Sequence, residues 1–420
     1  MTMSTTRRGF VEGALAAGAT LAMPAVARAQ ETTLKVVWMG WPENQVKPLM
    51  DEFEKRNPKI KLAVERIPFN QLFQTLEVRL NARTGDPDIF ICDSPLTASY
   101  ASRGHLMELD SILDKSRLSP SALAAATYQG KVYSAPFGSS MQVLFYNRAL
   151  FKEAGVEPPS ADPAKRWTWE QVYDAGKKIA KPAENIWGFA FEQSERPYQL
   201  LPLGQSLGGK ALSDDGLKAT GFIDGPAFVE GYTFMQKLYA DKVAPTGQFD
   251  PAIVPELFGS GKIGMLLAGT FNYDTARKYQ TLDFGVAPHP YFAKGKAVTP
   301  TGAWHVGVNA RTPQKEAVAQ FVRDTLSDDM QMLWFKLRPY PPVVQGVWDK
   351  MGDTFATDMW RIARAELDTT ALPRPATPGF REYEDVLRVA LRDIQTGADV
   401  KGTLTAAAQK IDREIAKYRG

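Results

Sequence analysis

The sequence has 420 residues with a formal net charge of +3, and 44% of the residues are hydrophobic and 23% charged. This near balance of charge gives no case for a nucleic-acid or membrane-surface partner, since both favour a strong basic excess. Because Cys92 is the only cysteine, a disulfide within the chain is excluded.

The first 29 residues have the features of an export signal. The pair Arg7-Arg8 is followed by a mildly apolar stretch over 13–26 and by the small-x-small site Ala27-Arg28-Ala29. The apolar stretch is about 14 residues long, whereas a membrane-spanning helix needs about 20. We therefore predict a Tat-type signal peptide over 1–29, cleaved near Ala29-Gln30, and a soluble periplasmic protein without a lipid anchor.

The chain that follows this signal is large and almost neutral. Removing the signal takes away three arginines and one glutamate, and leaves 47 basic and 46 acidic residues. About 390 residues exceed the usual size of a single hydrophobic core, so we expect two lobes. Nine tryptophans offer ample material for stacking against a ligand.

The first elements of the mature chain alternate between strand and helix patterns. Apolar or alternating runs predict three strands, and amphipathic spacing predicts a helix in each gap. In chain order these elements cover residues 34–39, 45–56, 60–67, 69–84 and 88–92. This order indicates a mostly parallel sheet with helices on both faces. Ligands of such folds bind beyond the carboxyl ends of the strands, where Trp41 and Asp93-Ser94 lie.

The remaining chain contains further strands among longer helices. Strands are predicted over 141–147, 262–267, 284–288 and 306–308, and helices over 168–180, 225–241 and 316–326. Thr168 is the expected cap of its helix. The C-terminal third is predicted to be mostly helical up to Tyr418.

Six segments, taken in order, resemble one known family. The motifs include Gly130-Lys131-Val132-Tyr133, Trp167-Thr168-Trp169-Glu170 and Ser260-Gly261-Lys262. The full set covers residues 86–89 with 104–109, 130–136, 146–151, 167–170, 258–265 and 283–288. Together they are similar to the family-1 extracellular solute-binding proteins, the maltose- and trehalose-type binding subunits of ABC sugar importers.

The resemblance implies an α/β, two-lobed periplasmic binding protein fold of type II, with mostly parallel sheets flanked by helices. The ligand is expected in the cleft between the lobes, with closure driven by contacts made only in the closed form. The predicted N-terminal lobe comprises 30–138 plus 288–332. The C-terminal lobe comprises 139–287 plus 333–420. The partners implied are a small sugar or glycoside and the transmembrane subunits of the permease. We expect a monomer without cofactor or metal.

The resemblance also implies a set of cleft residues in which aromatic rings stack on sugar faces and polar groups bond hydroxyls. The set is Trp41, Asp93, Ser94, Ser139, Ser140, Gln142, Thr270, Phe271, Asn272, Gly302, Trp304, His305, Arg338 and Tyr340. Asp93 occupies the acidic position of the family. Phe271 stands where a stacking tryptophan is common, which weakens the expected stacking there.

Several of these residues also have a purely structural interpretation. Asp93 could shape the turn before Pro95, Trp304 could belong to the core, and Arg338 could pair with a surface carboxylate. The serines Ser139 and Ser140, with Gln142, could serve only as hinge partners. For His305 a structural hydrogen bond is an alternative to ligand contact.

An enzymatic function is disfavoured by the motifs. Gly204-Gln205-Ser206-Leu207-Gly208 fits the G-x-S-x-G pattern but lacks the expected strand before it. The three histidines have no metal-ligand spacing. A glycosidase needs two carboxylates in the cleft, and only Asp93 with Glu43 or Glu192 are candidates.

The ligand class stays open within the binding-protein interpretation. A polyol phosphate, an oligopeptide or a polyamine is an alternative to a sugar, although the scarcity of acidic cleft candidates argues against a polyamine. The donors in the set could also hold an anionic oxygen cluster. The whole chain is similar to binding proteins for sulfoquinovosyl glycerol, a sulfonated glycoside.

Overall fold

The structure is a computed structural model, and it describes residues 31–246 and 253–419. The predicted signal peptide over 1–29 lies outside these residues. Over the described ranges, none of the helices combines the length and the apolar character that a membrane span requires.

The chain forms eleven strands in the described ranges. They are β1 Thr32–Met39, β2 Ile60–Ile67, β3 Ile89–Asp93, β4 Thr127–Tyr128, β5 Lys131–Val132, β6 Ser134–Asn147, β7 Trp187–Phe191, β8 Ile263–Gly269, β9 Phe284–Ala287, β10 Thr299–Val308 and β11 Ala371–Pro373.

Sixteen α-helices accompany these strands within the described ranges. They are α1 Glu43–Arg56, α2 Phe69–Asn81, α3 Leu96–Ser102, α4 Pro120–Ala126, α5 Arg148–Glu153, α6 Trp169–Ile179, α7 Pro197–Ser206, α8 Pro226–Ala240, α9 Ile253–Gly259, α10 Tyr273–Arg277, α11 Lys315–Thr325, α12 Asp328–Leu337, α13 Gln345–Lys350, α14 Asp358–Thr369, α15 Phe380–Gln395 and α16 Val400–Ile415.

Nine of the strands form one continuous sheet. Its main path runs β2-β1-β3-β10-β6-β8-β7, with β11 beside β10 and β9 beside β6. The pairs β1–β2, β1–β3, β7–β8 and β10–β11 are parallel, whereas β6 and β10 run antiparallel to their other neighbours. The predicted two-lobed fold is confirmed, and its sheet is mixed because long strands cross between the lobes.

Strand β6 connects the two halves of the sheet. Its first half, up to Met141, pairs with β10, while Gln142 and the residues after it pair with β8 and β9. All fourteen residues of β6 are buried, as expected for a central strand that is covered on both faces. The partner switch between Met141 and Gln142 lies three residues beyond the predicted lobe boundary between Gly138 and Ser139, and the lobe boundaries stay predictions.

Two strands are longer than the sequence pattern predicts. β6 begins at Ser134 rather than at 141, and β10 begins at Thr299 rather than at 306. The added segments contain Pro136, Gly138, Pro300 and Gly302, which are poor strand formers. They extend because each pairs with the other over 134–141 and 301–307. Tertiary pairing has overridden local propensity at this point.

Helix α6 begins where its sequence signals indicate. The Thr168 side chain accepts a hydrogen bond from the Gln171 backbone N–H, and the Gln171 side chain accepts one from the Thr168 backbone N–H. This capping box satisfies two of the free N–H groups at the start of α6. It also places Trp169 fully inside the core.

The carboxyl ends of β1, β3 and β8 and the middle of β6 and β10 meet at one level of the fold. Trp304 of β10 is opposite Asp93 of β3 on one side and Gly138 of β6 on the other. Gln142 of β6 is opposite Gly269, the last residue of β8. The residues predicted for the site are therefore gathered by sheet register across long sequence distances.

Candidate functional site

Four aromatic residues of the predicted set lie against one another. The Trp41 ring meets Trp304 edge-on, with centroids 5.8 Å apart, and lies 6.2 Å from Tyr340. Phe271 is in turn 6.2 Å from Tyr340. We call Trp41, Phe271, Trp304 and Tyr340 the aromatic wall. Its members come from four separate parts of the chain, so only the folded protein assembles it.

The aromatic wall is anchored in the core at one side. Tyr340 is nearly parallel to the buried Trp334, with an interplanar angle of 7° and centroids 6.3 Å apart. Trp304 is different, because it is partly exposed and stacks parallel to Phe73 of α2 at 6.4 Å. A partly exposed tryptophan held by neighbouring rings can cover the apolar face of a ligand with little loss of its own freedom.

Arg338 lies within this wall. Its guanidinium carbon is 4.7 Å from the Trp41 ring centre and 5.2 Å from that of Tyr340, so the cation lies beside two rings whose centres are 6.2 Å apart. Its Nη1 donates to Gln45 Oε1 over 2.9 Å. Among the described residues no carboxylate lies within 4.0 Å of it. The hypothesis of a surface ion pair for Arg338 is therefore wrong in this structure.

Asp93 lies at the end of β3 and binds a residue that the sequence interpretation missed. Arg374, just after β11, donates from Nη1 to Asp93 Oδ2 over 2.9 Å and from Nη2 to Asp93 Oδ1. Only 7% of the Arg374 side chain and 13% of the Asp93 side chain are exposed. The forked geometry neutralises the carboxylate inside the protein. Asp93 therefore offers a ligand a paired carboxylate rather than a free one.

Ser140 and Gly302 lie directly opposite each other on β6 and β10. Ser140 Oγ is 3.1 Å from the hydroxyl of Tyr198, which extends from α7. A Cβ atom at Gly302 would lie 3.0 Å from Ser140 Oγ and 3.2 Å from the Tyr198 hydroxyl. Glycine at 302 thus lets the Tyr198 ring approach the sheet, and Arg374 lies over that ring at 5.0 Å.

Three buried polar side chains at the β6–β8 edge lack partners. Gln142 is fully buried, yet neither its Nε2 nor its Oε1 has a hydrogen-bond partner in the described part of the chain. The same holds for Thr270 Oγ1 and Asn272 Nδ2. Leaving such groups unpaired costs about 1–3 kcal/mol each. Unpaired buried donors and acceptors at a strand end are typical of a site that a polar ligand completes.

Glu192 supports this edge from behind. Its carboxylate accepts hydrogen bonds from the Gly269 backbone N–H and from Gln199 Nε2, both over 3.0 Å. The Asn272 amide faces the same carboxylate without reaching hydrogen-bond geometry. Burial raises the pKa of Glu192, and its donors oppose that rise. Glu192 thereby fixes the turn that carries Thr270 and Phe271 relative to α7.

We call Ser140, Gln142, Tyr198, Thr270 and Asn272, together with the pair Asp93–Arg374, the polar wall. It adjoins the aromatic wall, because Asp93 is directly opposite Trp304 on the neighbouring strand and Phe271 lies between Thr270 and Asn272 in one turn. Neutral hydrogen-bonding groups beside stacking rings suit a ligand with hydroxyls on its rim and C–H groups on its face.

Three predicted residues have structural partners here. His305 Nδ1 is 2.7 Å from Ser134 Oγ, and burial lowers the pKa of His305 to about 3, so it is neutral. Ser139 donates its backbone N–H to the Pro341 carbonyl over 2.8 Å. The hydroxyl of Ser94 has only a long contact of 3.5 Å from Arg374. The structural interpretation of His305 agrees with this geometry.

The serine motif at 204–208 is not a nucleophile elbow. Gly204 and Ser206 lie in the last turns of α7 rather than between a strand and a helix. Ser206 Oγ donates to the Lys296 carbonyl over 2.8 Å and accepts from the Phe292 N–H over 3.1 Å. Its hydroxyl is therefore engaged in holding the loop that precedes β10.

The structure adds Arg374 and Tyr198 to the residues predicted from the sequence, and it gives a supporting role to Glu192, which the sequence offered only as a candidate glycosidase carboxylate. Arg374 follows a strand of only three residues, and Tyr198 lies on a helix whose ten residues are all buried, so no amphipathic pattern indicates a site. Glu192 carried one signal, since it directly follows the apolar strand β7. Strand-end position alone could have identified it.

Comparison with known proteins agrees with this geometry. Residues 40–332 match the family of bacterial extracellular solute-binding proteins. A putative binding protein of Brucella abortus is 25% identical over 374 residues, which cover 87% of this chain and 88% of that protein. The sn-glycerol-3-phosphate-binding periplasmic protein of Brucella melitensis is 26% identical over 248 residues, covering 56% of this chain and 55% of that one.

A solved structure is similar over nearly the whole chain. The ABC substrate-binding protein of Listeria monocytogenes in complex with cycloalternan superposes with a TM-score of 0.79 at 25% identity. The match covers 92% of this chain and all of that one. The same two-lobed fold is therefore used by a protein that was solved with a carbohydrate.

Proposed function

The chain belongs to the family of bacterial extracellular solute-binding proteins. On this premise we propose that it captures a sugar or glycoside by lobe closure and delivers it to the permease of an ABC importer. In this proposal the mature chain works in the periplasm as a monomer. It binds its ligand without chemical turnover.

The proposal rests chiefly on the polar wall beside the aromatic wall. Gln142 and Thr270 keep buried polar atoms without partners, and Trp304 offers a partly exposed ring two residues from Gly302. A sugar supplies hydroxyls for the unpaired polar atoms of Gln142 and Thr270, and a C–H face for the Trp304 ring. Each wall combines residues of both predicted lobes, such as Trp304 and Phe271, so a ligand that contacts both lobes at once favours the closed form.

The ligand can be neutral or anionic within this proposal. The Listeria relative was solved with a neutral carbohydrate, and a Brucella relative is named for sn-glycerol 3-phosphate, an anion. Sulfoquinovosyl glycerol is our candidate, because it combines a glycosyl ring with an anionic group. A non-sugar solute is the alternative.

Titration calorimetry on the mature protein tests the proposal. We expect saturable binding of at least one glycoside from a panel of neutral disaccharides and sulfoquinovosyl glycerol. Failure of the whole panel, with binding of an oligopeptide or a polyamine instead, would contradict it. Incubation of the bound glycoside with pure protein gives the second readout, since release of a cleavage product would contradict binding without turnover.

A further inference from the structure

We infer that three arginines, Arg196, Arg374 and Arg381, form a latch that holds the two predicted lobes together before any ligand binds. The inference goes beyond the proposed function, because it concerns the ligand-free protein. It comes from the lobe to which each partner belongs, from the burial of the central ion pair, and from an exposed aromatic ring at the rim.

The centre of the latch lies where two strands meet end to end along β10. Strand β3 runs antiparallel to β10 and ends with Asp93 opposite Trp304, whereas β11 runs parallel to β10 and ends with Pro373 opposite Thr301. Both strands lie on the edge of β10 that faces away from β6, because Thr301 also pairs with β6. Their carboxyl ends therefore face each other, and Arg374 reaches Asp93 across the gap.

This ion pair crosses from one predicted lobe to the other. The Arg374 guanidinium carbon lies 5.0 Å from the ring centre of Tyr198 and 5.8 Å from that of Phe380, and both rings belong to the predicted C-terminal lobe. Asp93 is fixed by β3 in the predicted N-terminal lobe. Because the pair is almost fully buried, its charge-assisted hydrogen bonds are little weakened by water.

The rim of the latch accounts for an unusual exposed ring. Phe69 begins α2 and is 46% exposed, although aromatic rings are seldom left open to water. The guanidinium carbon of Arg196 lies 5.7 Å from its centre, and that of Arg381 lies 5.5 Å from the centre of Phe73. Both arginines belong to the predicted C-terminal lobe and both rings to the predicted N-terminal lobe. The two contacts therefore also join the lobes.

The lobes touch here without sharing a continuous core. A cavity of about 500 Å³ lies between α2 and α3 on one side and α15 and the chain end at Tyr418 on the other. The ion pairs that line it, Glu77–Arg103 and Glu382–Lys417, each stay within one predicted lobe. The contacts that cross are thus few and polar, so they can break and reform without unfolding either lobe.

The central pair should contribute more to the latch than the rim. Opening returns both charges to water, so the pair counts only by the difference between its paired and its hydrated state. Close charge pairs across protein interfaces still couple strongly, and we expect this one to change the ratio of closed to open molecules by about tenfold or more. Each arginine–phenylalanine contact at the rim should change it by about two- to fivefold.

Distance measurement by pulsed electron double resonance on the mature, ligand-free protein tests the latch. Spin labels are attached at Gln71→Cys on α2 and Asp385→Cys on α15, which are exposed and lie in different predicted lobes. Cys92 is buried and does not compete for the label. We expect the inter-label distance of this structure to be the main population. A protein that shows only a longer distance without ligand would overturn the inference.

Two variants assign the closed population to the central pair. Arg374→Gln should lower the ratio of closed to open molecules by about tenfold or more. Arg166→Gln is the matched control, because Arg166 is also 7% exposed and pairs with the buried Glu366 over 2.6 Å within one predicted lobe. This control should reduce stability and leave the distance unchanged. An unchanged distance in Arg374→Gln, or an equal change in both variants, would overturn the latch.

Further variants keep the test decisive. If Arg374→Gln is unfolded by circular dichroism, Arg374→Lys takes its place, since it keeps the charge without the fork. It should still lower the closed population, and an unchanged distribution would overturn the central pair. At the exposed rim, Phe69→Ala and Arg381→Gln should each lower the ratio by about two- to fivefold. No change in either would overturn the rim.

The same labels separate this inference from the proposed function. A ligand-free protein that is open, and that closes when a glycoside is added, overturns only the latch. A protein that is closed without ligand and binds none of the glycosides in calorimetry overturns only the proposed function.

Discussion

The two walls of the site differ in whether their arginine has a counter-ion within the protein. On the polar wall, Arg374 is paired with Asp93, and Glu192 is surrounded by neutral donors. On the aromatic wall, Arg338 lies beside Trp41 and Tyr340 and donates to the neutral side chain of Gln45. One wall is electrostatically complete without a ligand and the other is not.

The walls also differ in which atoms await a partner. Among the described residues, the polar wall has unpaired uncharged groups on Gln142, Thr270 and Asn272, and each wall has one arginine Nε without a partner, that of Arg374 or of Arg338. Uncharged groups can discriminate hydroxyl positions, and an unpaired cation selects an anion. Two ends of one ligand can therefore be recognised by different interactions, hydrogen bonds at one end and charge at the other.

Replacing Arg374 should cause the largest loss of stability, because it leaves the Asp93 carboxylate buried and unpaired. For Arg374→Met we expect a loss of about 3–5 kcal/mol in the free energy of unfolding, measured by urea denaturation. The double change Asp93→Leu with Arg374→Met should recover most of that loss, since it removes both charges. A loss below about 1 kcal/mol in the free energy of unfolding of Arg374→Met would show that Arg374 does not compensate a buried Asp93 charge.

Trp304→Ala should separate binding from folding. The ring is partly exposed and stacks on Phe73, so its removal should affect stability modestly. We expect the affinity for the best glycoside to fall by about 2 kcal/mol or more, roughly thirtyfold. Trp187, partly exposed at the start of β7, is the control, and Trp187→Ala should leave the affinity unchanged. Unchanged binding in Trp304→Ala would remove Trp304 from the site.

The buried histidine His305 of β10 predicts a pH dependence of the stability. Burial lowers the pKa of His305 to about 3, below the value of about 6.5 expected in the unfolded chain. The folded state therefore binds fewer protons, and the contribution of His305 to stability is present above pH 6.5 and lost as the pH falls towards 3. Over this interval the slope is about 1.4 kcal/mol per pH unit at most.

Chemical denaturation of the wild type and of His305→Gln from pH 7 to pH 4 checks this slope. The variant should be less sensitive to acid by the share that His305 contributes. Burial also lowers the pKa of His289, outside both walls, to about 3. His289→Gln is therefore the matched comparison, and it should reduce the acid sensitivity in the same direction. Parallel curves for the wild type and His305→Gln would mean that His305 is already protonated in the folded protein.

Gln142→Leu should give the smallest change in stability. Its buried amide has no partner in the described chain, so a leucine of similar volume should leave stability unchanged or raise it by about 1 kcal/mol. Affinity for the glycoside should nevertheless fall. Gln331→Leu is the control, because the Gln331 amide donates to the carbonyls of Phe137 and Thr325 and its loss should destabilise the protein. Equal destabilisation of both variants would show that Gln142 is bonded after all.

Much of the fold follows from local sequence patterns. Strand β2 spans the predicted residues 60–67, and α1 and α6 begin within two residues of their predicted starts. Periodicity and capping chemistry act over a few residues, so they are readable without the fold. Trp41 and Asp93 were identified on the same basis, as residues that follow predicted strands.

The partners of those residues were decided by the tertiary structure. Arg374 reaches Asp93 from 281 positions away, and Tyr198 reaches Ser140 from 58. Their sequence surroundings carry no local signal, because a long-range ion pair or hydroxyl contact imposes no spacing on the chain. The starts of β6 and β10 were not predicted for the same reason. Both segments are rich in proline and glycine, and they are extended only because they pair with each other.

Local sequence patterns predict most of the early elements, several strand ends and the family that the motifs resemble. The tertiary structure alone decided that one arginine is neutralised by a carboxylate while the other is not. Local propensity depends on neighbours in the chain, whereas the state of a charge depends on neighbours in space. The difference between Arg374, which pairs with Asp93, and Arg338, which donates to Gln45, is therefore a property of the fold.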